Sequence, residues 1–189
     1  MKTDFYIYFL LFTIFFCSEI NAQPKIGEFI NASVGFGLSA PYDESDISGD
    51  GFYAQGEYVI GITKWFGVRP YVGIILTSER NNEKQQNQFN YKVTSKALLL
   101  GGKARICAPI KYIAPYLETG LGFSVGSFET YTPLTNISKN GLIMHIPFSI
   151  GLALGKKNNI DIAFSYYYHP VVKQFSGAAA FGLTFPLKN

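Results

Sequence analysis

Residues 142–155 read LIMHIPFSIGLALG, and every second residue from Leu142 to Leu154 is apolar. The residues between them are mostly small or polar, as His145 and Ser149 illustrate. Because successive side chains of a β-strand point to opposite faces, a period of two predicts a strand with one apolar face. This stretch is long enough for that face to be continuous over the whole strand.

Seven other stretches alternate in the same way, at residues 30–39, 52–62, 68–77, 98–106, 116–126, 160–169 and 180–187. The connections between them follow a pattern of their own. Short turns are predicted at 64–67, 108–112 and 156–159, and longer, mostly polar loops at 40–51, 78–92, 129–140 and 170–176. Short turns at one end and long loops at the other are typical of a transmembrane β-barrel.

The face opposite the apolar one decides between a membrane barrel and a soluble one. A soluble barrel such as a lipocalin turns its apolar face inward and needs a charged outer face. Here the second face is mostly Gly, Ser, Ala and Tyr, and only 15% of all residues are charged, against about 25% in ordinary soluble domains. Small side chains fit the narrow interior of an eight-stranded barrel. The sequence therefore predicts an all-β, eight-stranded antiparallel up-and-down transmembrane β-barrel.

The N-terminal residues have the layout of a secretion signal. Lys2 is followed by an apolar segment at 5–16, and a short polar segment ends at Ala22. This apolar segment is too short to span a membrane as a helix. We therefore predict a cleaved signal peptide at residues 1–22 and one barrel domain at residues 23–189. Cys107 is then the single cysteine of the exported chain, so no intrachain disulfide is expected.

Several local features resemble one known family. They are Asn21-Ala22-Gln23 at the end of the signal, Pro-Tyr at residues 70–71 and 115–116, the Gly-rich inner face, and the final strand with its Phe181 and Phe185. Together they resemble the outer-membrane β-barrel domain (porin-superfamily) proteins, of OmpA/OmpX type in size. The resemblance implies the outer membrane of a Gram-negative cell, contact with outer-membrane lipid, and insertion by the barrel assembly machinery. We expect a monomer.

Six charged residues fall on the inner face of the predicted strands: Glu57, Arg69, Lys103, Arg105, Glu118 and Asp161. The turn at 108–112 brings Lys103 opposite Glu118 or one pair away from it. An unpaired buried charge costs several kcal/mol, so we expect these three acids and three bases to form a paired network that fills the lumen. The alternative interpretation is a pathway for a small ion or proton.

The two histidines, His145 and His169, also face inward and are predicted to lie opposite or diagonal to each other near the loop-side rim. Such a pair is a hypothetical metal site or a pair that repels on acidification, and the alternative is two histidines without a function. No cofactor is predicted. Pro147 lies in mid-strand on the inner face, where we expect a β-bulge.

The function predicted from the sequence is a structural, adhesive or surface-binding role, with the lumen filled by side chains. A narrow pore and a lipid-modifying enzyme are the alternatives. Ser124 and Ser165 face inward without a recognisable acid–base partner, which disfavours the enzyme. No run of bases indicates nucleic-acid binding. The acidic first loop and the polar segment 78–91 are candidate contact surfaces for a partner that the sequence does not identify.

Overall fold

The computed structural model describes residues 26–43, 47–79 and 91–187. The predicted signal peptide at residues 1–22 lies outside these ranges. Eight strands follow one another as β1 Gly27–Pro41, β2 Gly49–Gly61, β3 Phe66–Glu79, β4 Lys92–Cys107, β5 Tyr112–Tyr131, β6 Asn136–Gly155, β7 Ile160–His169 and β8 Gln174–Pro186, with a 3₁₀ turn at Pro170–Val172. None of the helical segments in the described ranges is long and apolar enough to cross a membrane.

Each strand pairs in antiparallel fashion with its neighbours in sequence, and β8 pairs with β1 to close the barrel. The closing pairs run from Phe29 opposite Pro186 to Pro41 opposite Gln174. A closed barrel has no open sheet edge within the wall, so its backbone polar groups are satisfied without water. The predicted eight-stranded up-and-down barrel is confirmed.

The apolar face of each strand points outward. Phe36 is 77% exposed and Leu121 is 60% exposed, and the other large apolar residues of this face are similarly uncovered. A soluble barrel would have this face inside, so the structure excludes the lipocalin-like alternative. The exposed apolar side chains form a continuous belt that only lipid can cover.

The height of the belt can be measured along β5. Its outward residues are apolar from Ile113 to Val125 apart from Thr119, and they are polar at Ser127 and Glu129. At about 3.3 Å per residue and a tilt of about 40°, the apolar part rises roughly 25–30 Å, which matches the apolar layer of a bilayer. The change to polar residues therefore marks the upper edge of the belt.

Two connections use the same hydrogen-bonded turn. Between β2 and β3, the Thr63 hydroxyl oxygen accepts from the backbone N–H of Phe66 at 3.0 Å. Between β5 and β6, the Thr132 hydroxyl oxygen accepts from the backbone N–H of Thr135 at 2.9 Å. In both, the threonine side chain satisfies a backbone donor that the turn leaves without a ladder partner.

The long loop predicted at 129–140 is wrong. β5 continues to Tyr131 and β6 begins at Asn136, so only four residues connect them. The outward residues of this hairpin lie above the belt and are polar, because they face water. The sequence of these two strands was interpreted as a loop because the residues on their outer face are polar.

The β-bulge predicted at Pro147 is also wrong. Thr119 pairs with Phe148 and Gly122 pairs with His145 in the same register, while the pairs between them are missing from the ladder. Proline removes a donor without adding a residue, so the ladder is interrupted and the register is kept.

Candidate functional site: two halves of the lumen

The six predicted inner charges all lie buried in the half of the lumen near the short turns, which we call the turn-side half. They are the only buried charged residues in the described ranges: Glu57, Arg69, Lys103, Arg105, Glu118 and Asp161. The structure brings all six into one connected network. Three acids and three bases give this network a formal charge of zero.

Glu118 lies at the centre of the network. One of its oxygens accepts from Nε of Arg105 at 2.6 Å, and the other is 2.8 Å from Nζ of Lys103. Nε of Arg69 is 3.6 Å from the carboxylate. Arg105 is directly opposite Glu118 in the ladder, and Lys103, whose own partner is Gly120, lies one inward-facing pair (two residues) away, which is the second of the two arrangements expected from the turn. A single carboxylate thus faces all three bases.

Glu57 closes the other side of the same cluster. Nη1 of Arg69 donates to it at 2.7 Å, and Nζ of Lys103 also contacts it. The amide of Gln55 adds a further donor, with Nε2 2.6 Å from Oε1 of Glu57. A buried carboxylate is stable only with such compensation, since desolvation disfavours its charge.

Asp161 ties the network to the closing strands. It accepts from Nη1 of Arg105 at 2.9 Å and from Nδ2 of Asn31 at 2.8 Å, and the Thr184 hydroxyl is 3.3 Å away. The Arg105 guanidinium also lies 3.4 Å from the centre of the Tyr116 ring, a cation–π contact. Side chains from β1, β4, β7 and β8 therefore meet at one carboxylate.

The half of the lumen near the loops, the loop-side half, contains a neutral cluster. The Ser124 hydroxyl lies 2.7 Å from Nδ1 of His145 and 2.9 Å from Nε2 of His169, and the Tyr71 hydroxyl contacts Nε2 of His145. A hydroxyl donates only one proton, so the three bonds form a chain that runs either from Tyr71 through His145 and Ser124 to His169 or in the reverse direction. Both imidazoles are neutral in this arrangement.

Ser124 is the residue that sequence reasoning missed, because it had been assigned no acid–base partner. It faces both histidines from β5, and only the register of three strands reveals this. The histidines are fully buried, with ring centres 5.5 Å apart, so they lie inside the barrel and below the rim. Within the described ranges no group of three or more His, Cys, Asp or Glu side chains is arranged to hold a metal ion. The two-histidine metal site stays a prediction.

A tier of tyrosines separates the two halves. The hydroxyls of Tyr53 and Tyr167 are 2.8 Å apart, and the Tyr167 hydroxyl donates to Oε1 of Gln55 at 2.6 Å. The Tyr71 and Tyr167 rings are in contact, with centres 6.5 Å apart. These rings lie between the charged network, which Gln55 contacts, and the histidines, which Tyr71 contacts.

The loop-side mouth is closed by the connection between β7 and β8. Its Val172 side chain is fully buried, and the Thr130 hydroxyl lies 2.8 Å from the Val172 carbonyl oxygen. From the first loop, Asp43 accepts from the Thr135 hydroxyl at 2.7 Å, and the backbone N–H of Tyr42 donates to the Lys173 carbonyl at 3.1 Å. These contacts join the first loop, the β5–β6 hairpin and the β7–β8 connection at the loop-side end.

One cavity lies beside the charged network, lined by Asn31, Glu57, Arg105, Asp161 and their neighbours. It leaves about 20 Å³ for the centres of water molecules, which is room for one or two waters. Together with the tyrosine tier, this small space gives a lumen packed with side chains.

No family model matches the chain, and no curated protein sequence matches it. Solved structures do. The Neisserial surface protein NspA has a TM-score of 0.59 at 14% identity, over 85% of this chain and 97% of that one. The outer membrane protein OprG of Pseudomonas aeruginosa has a TM-score of 0.51 at 12% identity, over 89% of this chain and 100% of that one.

At these identities the likeness concerns the fold. The apolar belt is an independent observation, since it follows from the exposure of this chain's own side chains. Fold and belt lead to the same conclusion: this chain has the fold of the small eight-stranded outer-membrane β-barrel proteins, and its place is the outer membrane.

Proposed function

We propose that this protein is a surface-binding outer-membrane barrel with a closed lumen, and that its binding surface is the β5–β6 hairpin above the belt. The lumen argues against transport as the main role. Its charges are mutually paired, tyrosines pack together in its middle, and the cavity beside the charges has room for one or two waters. A barrel whose lumen is packed with side chains is expected to act through its outer surface.

The hairpin extends well beyond the belt. β5 continues from Val125 to Tyr131, which is about 20 Å along the strand at about 3.3 Å per residue. Ser138 and Asn140 continue β6 on the outer face as polar, exposed residues. At its tip the Leu134 side chain is 79% exposed.

The observation that carries the proposal is the open edge of this hairpin. β6 pairs with β7 only from Ile146 onward. In the described part of the chain, residues 136–145 therefore have ladder partners in β5 alone. An exposed strand edge offers unpaired N–H and C=O groups to an added strand. Lys139, which is exposed on this segment, opposes uncontrolled self-association.

The first test removes the hairpin. Gly126 and Gly141 face each other in the ladder, so residues 127–140 can be replaced by a two-residue Asn-Gly turn without changing the register. Proteoliposomes with either protein are passed over immobilised extracellular-matrix proteins. We expect at least tenfold weaker retention of the shortened protein. Equal retention of both proteins would refute the hairpin as the binding surface.

A matched pair of proline substitutions then separates the edge from the hairpin as a whole. Successive N–H groups of a strand point to opposite edges, so Ser138→Pro and Lys139→Pro remove one donor from each side of β6. The variant that loses the donor on the open edge should keep the fold and lose retention.

The two alternatives are tested on the same preparations. Steady conductance steps in a planar bilayer would favour the narrow pore, and a change in the mass of lipid A on overexpression would favour the enzyme. The Ser124 cluster does not favour the enzyme, because Ser124, His145 and His169 are fully buried inside the barrel.

A further inference from the structure

The charges of the exported chain are distributed unevenly between the two ends of the barrel. Residues 23–189 contain 15 Lys+Arg and 11 Asp+Glu. The lumen holds three of each. Among the described residues, the loops and strand ends on the loop side hold the acids 43, 50, 79 and 129 and the bases 92, 96, 139 and 173, which cancel. The net positive charge therefore belongs to the end with the short turns.

Four exposed lysines on the three short turns carry this charge, and we call them the lysine rim: Lys64, Lys111, Lys156 and Lys157. Glu28 is the one exposed carboxylate at this end of the described ranges. None of the four lysines forms an ion pair with a carboxylate of the described residues. In the sequence, Lys25 and Lys188 flank the barrel strands and add to the same sign.

The lysine rim borders the apolar belt. Trp65, which follows Lys64, is 53% exposed, and Tyr112, which follows Lys111, is exposed as well. Nζ of Lys111 lies 5.2 Å from the centre of the Tyr112 ring. Aromatic side chains at this level are typical of the bilayer interface. A lysine there can lay its aliphatic part along apolar surface and extend its ammonium group to the headgroups.

We propose that the lysine rim binds the anionic phosphate headgroups of phospholipids in the leaflet that faces the short turns. The lysines are spread over three separate turns around the barrel and do not converge on one pocket, which suits a ring of lipids better than a single soluble anion. An anionic leaflet attracts each nearby lysine, and salt weakens the attraction within a Debye length. This inference is independent of the proposed surface-binding role, because it concerns the opposite end of the molecule.

The single tryptophan, Trp65, makes the proposal measurable. The protein is inserted into vesicles of phosphatidylcholine with a minority of phosphatidylglycerol. In one preparation the phosphatidylglycerol carries bromine on its acyl chains, and in the other the phosphatidylcholine does. Bromine quenches Trp65 only on contact, so the two quenching values, corrected for bulk composition, give the ratio of anionic to zwitterionic lipid beside the rim.

For the wild type we expect anionic lipid to be enriched about fivefold for each lysine within reach of a headgroup, and the enrichment to vanish in high salt. Replacing Lys64, Lys111, Lys156 and Lys157 by Gln should bring the ratio to one. The matched control replaces the loop-side Lys92, Lys96, Lys139 and Lys173 by Gln and should keep the wild-type ratio. A shift of the unboiled band on a detergent gel verifies that both variants are folded.

A wild-type ratio of one would overturn the proposal, and so would an equal loss in both variants. If the ratio is one but the lysine rim is required for cosedimentation with isolated peptidoglycan, the partner is the cell wall and the lipid proposal fails. Neither result touches the hairpin experiment, which depends on residues at the other end of the barrel.

Discussion

The two halves of the lumen are filled by different chemistry. The turn-side half holds six charges that compensate one another, and Glu118 alone faces three bases. The loop-side half holds hydroxyls and neutral imidazoles joined through Ser124. A buried charged network stabilises the fold only while every member is present, because a buried charge without a partner costs free energy. Neutral hydrogen bonds lose less when one is removed. The comparison predicts that the barrel wall depends more on its turn-side half.

The largest effect is expected at the centre of the charged network. Glu118→Gln keeps the shape of the side chain and removes the negative charge that faces Arg69, Lys103 and Arg105. We expect the free energy of unfolding to fall by about 3–5 kcal/mol, since buried cations then lack a counter-charge. Urea titration in phosphatidylcholine vesicles, followed by Trp65 fluorescence, measures the change.

The matched control for this substitution is Glu129→Gln. Glu129 pairs with Lys92 at 2.8 Å, but both side chains are about one-third exposed. Such a pair contributes about 0–1 kcal/mol. A loss at Glu118 no larger than the loss at Glu129 would contradict the network as a source of stability.

An intermediate effect is expected at Gly122, which packs against the histidine cluster of the loop-side half. A Cβ added at Gly122 would lie 2.7 Å from the Leu100 carbonyl oxygen and would crowd His145 and the Tyr71 hydroxyl. We expect Gly122→Ala to cost about 1–3 kcal/mol in the same titration. At Gly102 an added Cβ meets nothing within 4 Å, so Gly102→Ala should change little. Equal losses at both glycines would mean that backbone freedom and not packing decides the cost.

The smallest effect is expected at the hydroxyl that joins the two histidines. Ser124→Ala removes two neutral hydrogen bonds and leaves imidazole nitrogens without a partner, at a cost of about 1–2 kcal/mol. Ser127→Ala, on the outer face of the same strand, is the control and should be near neutral. If Ser124→Ala destabilises the barrel as much as Glu118→Gln, the contrast between the two halves is refuted.

The architecture could be predicted from the sequence because the signal is local. Alternation with a period of two over eight stretches, such as residues 142–155, determines the number of strands and which side chains point outward. The same alternation identifies the charged residues that point into the lumen. What the sequence could not supply is which of these side chains touch. Arg105 faces Glu118 directly while Lys103 reaches it from the next inward-facing pair, and this depends on a register that the turn sequence leaves open by one such pair.

Where the environment changes along a strand, the local pattern misleads. Above the belt the outer face of the β5–β6 hairpin meets water, so its apolar residues disappear while the strand continues. At Pro147 a lost donor was taken for an inserted residue. The Ser124 cluster combines residues from β3, β5, β6 and the end of β7, and no spacing within one strand indicates it.

The Asn31 amide has a consequence for how the barrel forms. It donates to Asp161 and to Thr184, which lie 130 and 153 residues away in the sequence. The seam between β1 and β8 therefore combines the contacts of longest range in the molecule, and loop-closure entropy makes such contacts slow to form. Until β8 pairs with β1, Asp161 lacks its hydrogen bond from Asn31, and both strands have unpaired edges. Closure of this seam is expected to be the last and rate-limiting step of folding, and the seam is where the finished barrel would first open.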